Sequence, residues 1–397
     1  MISREVVITG MGINSCLGMN VTENLFSLTH SLCGIGEMTI LPSHHKNTLP
    51  VGEIKYDNHA LGIMTRFGPS TPRSVLLSAL SIREAVLMSG ISTEQVEAFI
   101  YATTVGGIDL SEIQMGRYFK DEKVDYSVFS THDNGRSADM LTSHFEMSCR
   151  GMTISTACSS AANAILQAAE QIRRGLKEIV IAGGADALSL FTLNGFNSLM
   201  ILDKSLCQPF DRDRRGLNLG EGSAFLVLES KESAQKRGAE ILGIVSGWAN
   251  TNDAHHQTAS SETGEGAAMA MSRAIQVAEL QPEDIDHINA HGTGTGNNDA
   301  SEGSAILSTF THVPPFTSTK SYTGHTLAAS GALEAVFSVI SLQQQMMFPT
   351  LRFHHPINEN LVPVTELTPG TLKHILSNSF GFGGNCTSLI FSKFQKA

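Results

Sequence analysis

One cysteine and two histidines in this 397-residue sequence each stand beside a run of small residues, the kind of surroundings that leave room for a reacting molecule. Cys158 lies in STACSSAANAI, His291 in DHINAHGTGTGNNDASE, and His325 in TSTKSYTGHTLAASGALEA, five residues after Lys320. A cysteine attacks as its thiolate, and the positive end of a helix favours that anion. Cys158 sits where such a helix should begin, and Ala157, Ser159 and Ser160 would leave space beside it. The other reading of the same stretch is a buried structural thiol. A cysteine hydrolase needs one histidine and an Asn or Asp to orient it. Two histidines suit a different task, because two imidazole N–H groups aimed at one oxygen can stabilise the enolate formed when a carbon nucleophile is generated by loss of CO2. Near the C-terminus, SNSFGFGGNCTSLIF holds Gly381, Gly383 and Gly384 around Phe382. Glycines permit close backbone approach, so the Phe382 and Cys158 N–H groups would form an oxyanion hole for a thioester carbonyl. A plain glycine turn before a strand is the alternative.

The elements that must hold these residues follow from apolar patterning. VVITG at 6–10, FIYATTV at 99–105, IVIAGGAD at 179–186, AFLVLE at 224–229 and SLIFSKF at 388–394 read as strands, several buried on both faces. Helical patterns lie between them, at 74–90, 263–280 and from Ala161 to Ile172, where the pattern is apolar nearly all round. This alternation is an α/β architecture with helices covering sheets. The charged segment 231–241 is followed by a new strand, ILGIVSGW, and puts a half-boundary near residue 240. The halves are then 1–240, with the cysteine, and 241–397, with both histidines, the lysine and the glycine loop. A weak internal echo relates CSSAANAILQAAEQI to HTLAASGALEAVFSVI.

Composition excludes several classes. Twenty-seven basic against 38 acidic residues, a formal net charge of −11, leave no surplus to neutralise phosphates and argue against nucleic-acid binding. No apolar run reaches the length of a membrane span. The six cysteines form no CxxC pair and no signal peptide is visible, which together suggest reduced thiols and a cytoplasmic protein. VITGMGINSCLG has Ser15 where the dinucleotide fingerprint needs its third glycine. The pairs His44–His45, His255–His256 and His354–His355 do not have metal-site spacing, and no metal or cofactor is expected.

Five stretches in order, STACSSAANAI, QPFDRDRRGLNLGEGSAFLVLE, NAHGTGTGNNDASE, TKSYTGHTLAASGALEA and NSFGFGGNCTSLIF, resemble the elongating β-ketoacyl-acyl-carrier-protein synthases, and the likeness runs over nearly the whole chain. The resemblance implies a thiolase fold, a five-layered αβαβα arrangement of two related halves, usually dimeric. It implies an active-site cysteine at Cys158, histidines at His291 and His325, a lysine at Lys320, a buried glutamate at Glu334 and a gating phenylalanine at Phe382. Val105 would line an acyl pocket near a dimer contact, with Thr293, Thr295, Gly381 and Gly383 around the substrate. The implied reaction needs no cofactor: an acyl group passes from acyl carrier protein to Cys158, and malonyl carrier protein loses CO2 and extends it by two carbons.

The chain departs from that family where relatives read GFGGTN, having Asn385 and Cys386, and where a proline often follows HGTGT, having Gly296, Asn297 and Asn298. His255 stands where an aromatic residue is common. These changes favour a specialised type II polyketide or aryl-polyene system over primary fatty-acid synthesis. Two further readings stay open: a chain-length-determining partner subunit in a heterodimer, which typically lacks the cysteine, and a coenzyme A thiolase, for which Cys386 would be the second cysteine.

Overall fold

The computed structural model describes residues 4–395. Its main sheet has ten strands in the order β3-β2-β4-β5-β1-β6-β12-β11-β7-β8. The strands are β1 Val6–Ser15, β2 Ala98–Ala102, β3 Gly151–Ile154, β4 Ile179–Asp186, β5 Gly222–Ser230, β6 Gly243–Asn252, β7 His287–Asn289, β8 Phe316–Thr317, β11 His374–Phe380 and β12 Asn385–Ser392. A separate ribbon pairs β9 Met346–Met347 with β10 Thr368–Pro369. The apolar runs read as buried strands occupy β1, β2, β4, β5 and β12, and all eight residues of β4 are buried.

The sheet consists of two five-stranded halves that, among the described residues, pair through Val7–Ile244 and Ile8–Gly243, between β1 and β6. Starting from its outer edge, each half has three parallel strands, then two antiparallel ones: β3, β2, β4, β5, β1 in the first and β8, β7, β11, β12, β6 in the second. The chain order along the two halves is the same. Helix Ser160–Arg173 follows β3, and helix Ser330–Gln344 follows β8. The sequence echo between these segments therefore marks topologically equivalent helices.

Those two helices form the central layer. They pack on each other, and both touch strands of the two half-sheets. Helix Arg73–Ser89 covers β1 and β5 on one outer side, and helix Glu265–Val277 covers β6 and β12 on the other, which completes five αβαβα layers. Both helices are rich in buried small residues, Ala161, Ala162, Ala164 and Ala168 on one and Ala332 and Ala335 on the other. A side chain on Gly331 would put a carbon 2.8 Å from Ala162, so glycine there sets the close approach of the pair. Among the described residues, no helix is long and apolar enough to cross a membrane.

The broken dinucleotide motif has a packing explanation. A Cβ on Gly12 would lie 2.0 Å from the Ser81 carbonyl oxygen in helix Arg73–Ser89, and one on Gly10 would lie 2.2 Å from that of Ala85. These glycines let helix and strand touch. Gly12→Ala should lower unfolding free energy by about 1–3 kcal/mol, the usual cost of overpacking a filled core. Urea denaturation reads this directly, and an unchanged midpoint would contradict it.

Candidate active site

Cys158 lies on the connection from β3 to helix Ser160–Arg173, and His325 on the connection from β8 to helix Ser330–Gln344. Ala157 (φ +52) and Leu327 (φ +54) both hold left-handed backbone, which L-residues rarely adopt, and bend the chain next to each reactive residue. The serines after Cys158 hold its turn, Ser159 Oγ donating to the Thr156 carbonyl at 2.7 Å and Ser160 Oγ accepting the Thr156 N–H at 2.8 Å. His291 follows β7, two residues past its end, and Lys320 opens the short helix Lys320–Thr323.

The structure brings these residues together. His325 Nε2 is 3.0 Å from Cys158 Sγ, and His325 Nδ1 is 2.9 Å from Ser330 Oγ. A hydroxyl both donates and accepts, so Ser330 accommodates either imidazole tautomer. With Nδ1–H donated to Ser330, the Nε2 lone pair faces the thiol; with the Ser330 hydroxyl donating, Nε2–H faces the cavity. Lys320 Nζ donates to His291 Nδ1 at 3.1 Å and to the His291 carbonyl at 2.6 Å, and pairs with Glu334 Oε1. An ammonium has no lone pair, so Nδ1 of His291 is the accepting nitrogen and Nε2 carries the hydrogen. The two rings stand 5.4 Å apart at 85°. Glu302 anchors the His291 backbone, its two oxygens accepting the N–H groups of His291 and Gly292 at 2.8 Å each.

Burial dominates the electrostatics. It pushes the Cys158 thiol up to about 12, against the opposing pull of the Lys320 ammonium and of the Phe382 and Cys158 N–H groups that face the sulfur. The resting sulfur therefore carries its proton, helix terminus notwithstanding, and needs a base within reach. Burial, helped by Lys320, holds His325 well below the ordinary imidazole range; burial, Lys320 and His325 do the same to His291. Both rings are neutral at pH 7. Burial also raises the Glu302 and Glu334 carboxyls to about 7, in the second case despite the Lys320 partner.

Cys158 opens onto two cavities. One, of about 140 Å³, is bounded by His291, His325, Thr293, Thr295, Gly381 and Phe382. The other is an apolar chamber of about 370 Å³ lined by Val105, Phe191, Phe196, Leu199, Leu327 and Phe382. The Phe196 and Phe382 rings stack at 5.9 Å and 17° and border both spaces, so they form the partition between them. Gly383, expected beside the substrate, instead turns its N–H to the Gln257 carbonyl at 2.7 Å. Its φ of +82 reserves that turn for glycine. Cys386 borders neither cavity; it is buried in the apolar core of the second half, its thiol donating to the Gly384 carbonyl at 3.4 Å.

The other departures support the rim. Asn385 Oδ1 accepts from Ser159 Oγ at 2.7 Å, Asn163 Nδ2 at 2.9 Å and Asn250 Nδ2 at 2.7 Å, which ties the cysteine turn to β12. Asn297 pairs with the Ser260 backbone, accepting its N–H at 2.7 Å and donating to its carbonyl at 3.0 Å. His255 is exposed and borders neither cavity. Ser330 and Phe196 belong to the site although spacing does not mark them. Ser330 stands in a run of small residues where nothing distinguishes it, and Phe196 lies on a short helix, Leu190–Ser198, with no chemical motif.

The Lys320 charge has a direct test. An adjacent cation disfavours a second positive charge, so Lys320→Met should raise the pKa of both imidazoles toward the ordinary value. In ring-resonance NMR titrations, His291 and His325 should stay neutral well below pH 6.5 in the wild type and protonate at higher pH in the variant. Coincident titrations would remove Lys320 from this account.

Comparison with known proteins identifies the family. The beta-ketoacyl synthase N-terminal domain family matches residues 3–234, and the C-terminal domain family matches residues 242–354. The chain is 31% identical over 417 residues to 3-oxoacyl-[acyl-carrier-protein] synthase 2 of Staphylococcus aureus (strain COL), covering 99% of each. It is 39% identical over 254 residues to the protein of that name from Mycobacterium bovis, covering 61% of each. Among solved structures, the ishigamide ketosynthase/chain length factor superposes with a TM-score of 0.93 at 27% identity, covering 99% of this chain and 100% of that one. A ketosynthase (ApeO) in complex with its chain length factor (ApeC) from Xenorhabdus doucetiae superposes with a TM-score of 0.84 at 28% identity, covering 98% of each. With both halves matched and a relative aligned along its full length, the chain belongs to the beta-ketoacyl synthase family.

Proposed function

We propose that this chain is a 3-oxoacyl-[acyl-carrier-protein] synthase, which joins an acyl group held on Cys158 to a malonyl unit with loss of CO2. The observation that carries this reading is the 3.0 Å contact of His325 Nε2 with a thiol whose other side faces two main-chain N–H groups, at the junction of a polar pocket and an apolar chamber. Cys158 Sγ gives its proton to His325 Nε2 and attacks the thioester carbonyl of an acyl carrier protein. The Phe382 and Cys158 N–H groups hold the oxyanion. The proton then passes to the departing carrier thiol, and the acyl chain occupies the chamber beside Val105.

Malonyl carrier protein binds next in the polar pocket. Its C–C bond to the carboxylate breaks, CO2 leaves, and the electron pair stays as an enolate. The His291 Nε2–H, fixed in that tautomer by Lys320, and the His325 Nε2–H, permitted by Ser330, donate to the enolate oxygen. The enolate carbon attacks the acyl-cysteine, the Cys158 thiolate leaves and regains a proton from solvent, and the product is a 3-oxoacyl thioester two carbons longer. Glu334 supports the site through Lys320.

The retained thiol–imidazole pair favours a condensing subunit over a silent chain-length partner. Cys386, buried in the core of the second half and bordering neither cavity, speaks against a thiolase. Phe191 and Leu199, which line the chamber, are also exposed at its outer side, which supports completion of the chamber by a second subunit, either another copy or a ketosynthase-like chain-length partner. The likeness to ketosynthase/chain length factor structures and the departures at Asn297 and Asn385 support a specialised type II pathway, polyketide or aryl-polyene.

Intact-protein mass spectrometry with saturated, polyunsaturated and aryl-primed carrier-protein thioesters tests the reading. The wild type should gain the acyl mass and Cys158→Ala should not, while malonyl decarboxylation persists in the variant because both histidines remain. His325→Ala should slow loading by roughly 10²–10⁴-fold, the range for loss of a general base. Product formation by Cys158→Ala would overturn the assignment. Val105→Phe should shorten the preferred acyl chain, and an unchanged preference would place that chain elsewhere.

A further inference from the structure

Asp186 closes β4 and is fully buried, yet among the described residues no cation pairs with it. Its Oδ1 accepts from Thr103 Oγ1 at 2.6 Å, the Thr104 N–H at 2.9 Å and the Val105 N–H at 3.3 Å. Its Oδ2 accepts from Thr104 Oγ1 at 2.5 Å and the Ala328 N–H at 2.8 Å. Five donors and no acceptor surround the carboxyl, so the geometry accommodates the ionised form. These donors come from two places that matter to the reaction. Val105 is the wall of the apolar chamber, and Ala328 lies three residues past His325, next to Leu327, which lines the same chamber.

We propose that Asp186 is a positioning residue for acyl transfer, tying the chamber wall at Thr103–Val105 to the turn that carries His325 so that acyl chain, imidazole and thiol stay in register. This rests on the reading of Cys158 as acyl acceptor. Five hydrogen bonds to one buried carboxylate fix two otherwise separate loops, which a neutral side chain of the same shape does less well. The charge has a second effect. The ionisable groups around the Cys158 sulfur are His325, His291, Lys320 and Asp186; burial raises the Asp186 carboxyl while its five donors favour the ionised form, and in that form it is the one group of the four that opposes thiolate formation by its charge.

The test uses the full-length protein with Asp186→Asn and Thr104→Val. Asp186→Asn turns an amide N–H₂ toward N–H and O–H donors and removes the charge. Acyl loading of Cys158, followed by intact mass, should slow by about 10-fold to 100-fold, the scale of a displacement near 1 Å at a reacting centre. The pH profile of Cys158 alkylation by iodoacetamide should move to lower pH, because the neighbouring anion is gone. A role in packing alone would slow loading and leave that profile in place. Thr104→Val keeps the charge and deletes one donor, so it should slow loading with the profile unmoved; it stands as the test if Asp186→Asn does not fold. Loading at the wild-type rate in a folded variant, or an unshifted profile in Asp186→Asn, overturns the proposal. The alkylation arm needs no acyl donor, so it reports on Asp186 even if the wild type loads nothing, a result that would instead defeat the reading of Cys158.

Discussion

The close approach of helices Ser160–Arg173 and Ser330–Gln344 is the constraint from which the rest of this structure follows. Gly331 meets Ala162 across that contact, and both helices are rich in buried alanine, so the axes come near enough for the turns before them to meet. Cys158 and His325 occupy those turns, and their 3.0 Å contact joins residues 167 apart in the chain. Larger side chains between the helices would separate thiol from imidazole before touching either. The low aromatic content and the many small residues of the sequence have their structural meaning here: the central layer is a tight seam, and each side chain in it is limited in volume by its opposite.

Around that contact the protein has excluded water from an unusual number of ionisable groups. Cys158, His291, His325, Lys320, Glu302, Glu334 and Asp186 are all buried within the same neighbourhood. Desolvation keeps the resting state nearly charge-free at the reacting atoms, with a protonated thiol and two neutral imidazoles. Charge is confined to groups one step removed, Lys320 behind His291 and Asp186 behind the chamber wall. These removed charges set which nitrogen bears a hydrogen and which loop stays in place. The site thus develops charge only when a substrate brings it, in surroundings whose dipoles already point the right way.

The two halves contribute unequally to that site although they share one topology. Each offers the turn before its central helix, occupied by Cys158 in the first half and His325 in the second. The second half adds His291 just past the end of β7 and the glycine loop before β12, whereas the first supplies most of the apolar chamber, from Val105 and helix Leu190–Ser198. The Phe196–Phe382 stack closes the border between them with one ring from each half.

The residues that meet at the candidate site, and most of the elements that carry them, were legible in the sequence. β-branched apolar runs marked β1, β2, β4, β5 and β12, because a strand buried on both faces must be apolar at every position. Small residues marked the cysteine and histidine turns, because a site that admits a substrate beside a helix cannot be filled by its own side chains. The same local logic could not see Ser330, Phe196 or Asp186. A serine among small residues, a phenylalanine on a short helix and an aspartate at a strand end gain their roles only from what lies across the fold. Nor could it see that Gly383 faces Gln257 and not the sulfur, or that the Cys158 thiol keeps its proton. Patterning along the chain is a one-dimensional record of which faces are buried, so it determined the elements and the residue types at the site. Distances, tautomers and proton affinities depend on groups far apart in sequence and on how completely water is removed, and only the tertiary structure decided those.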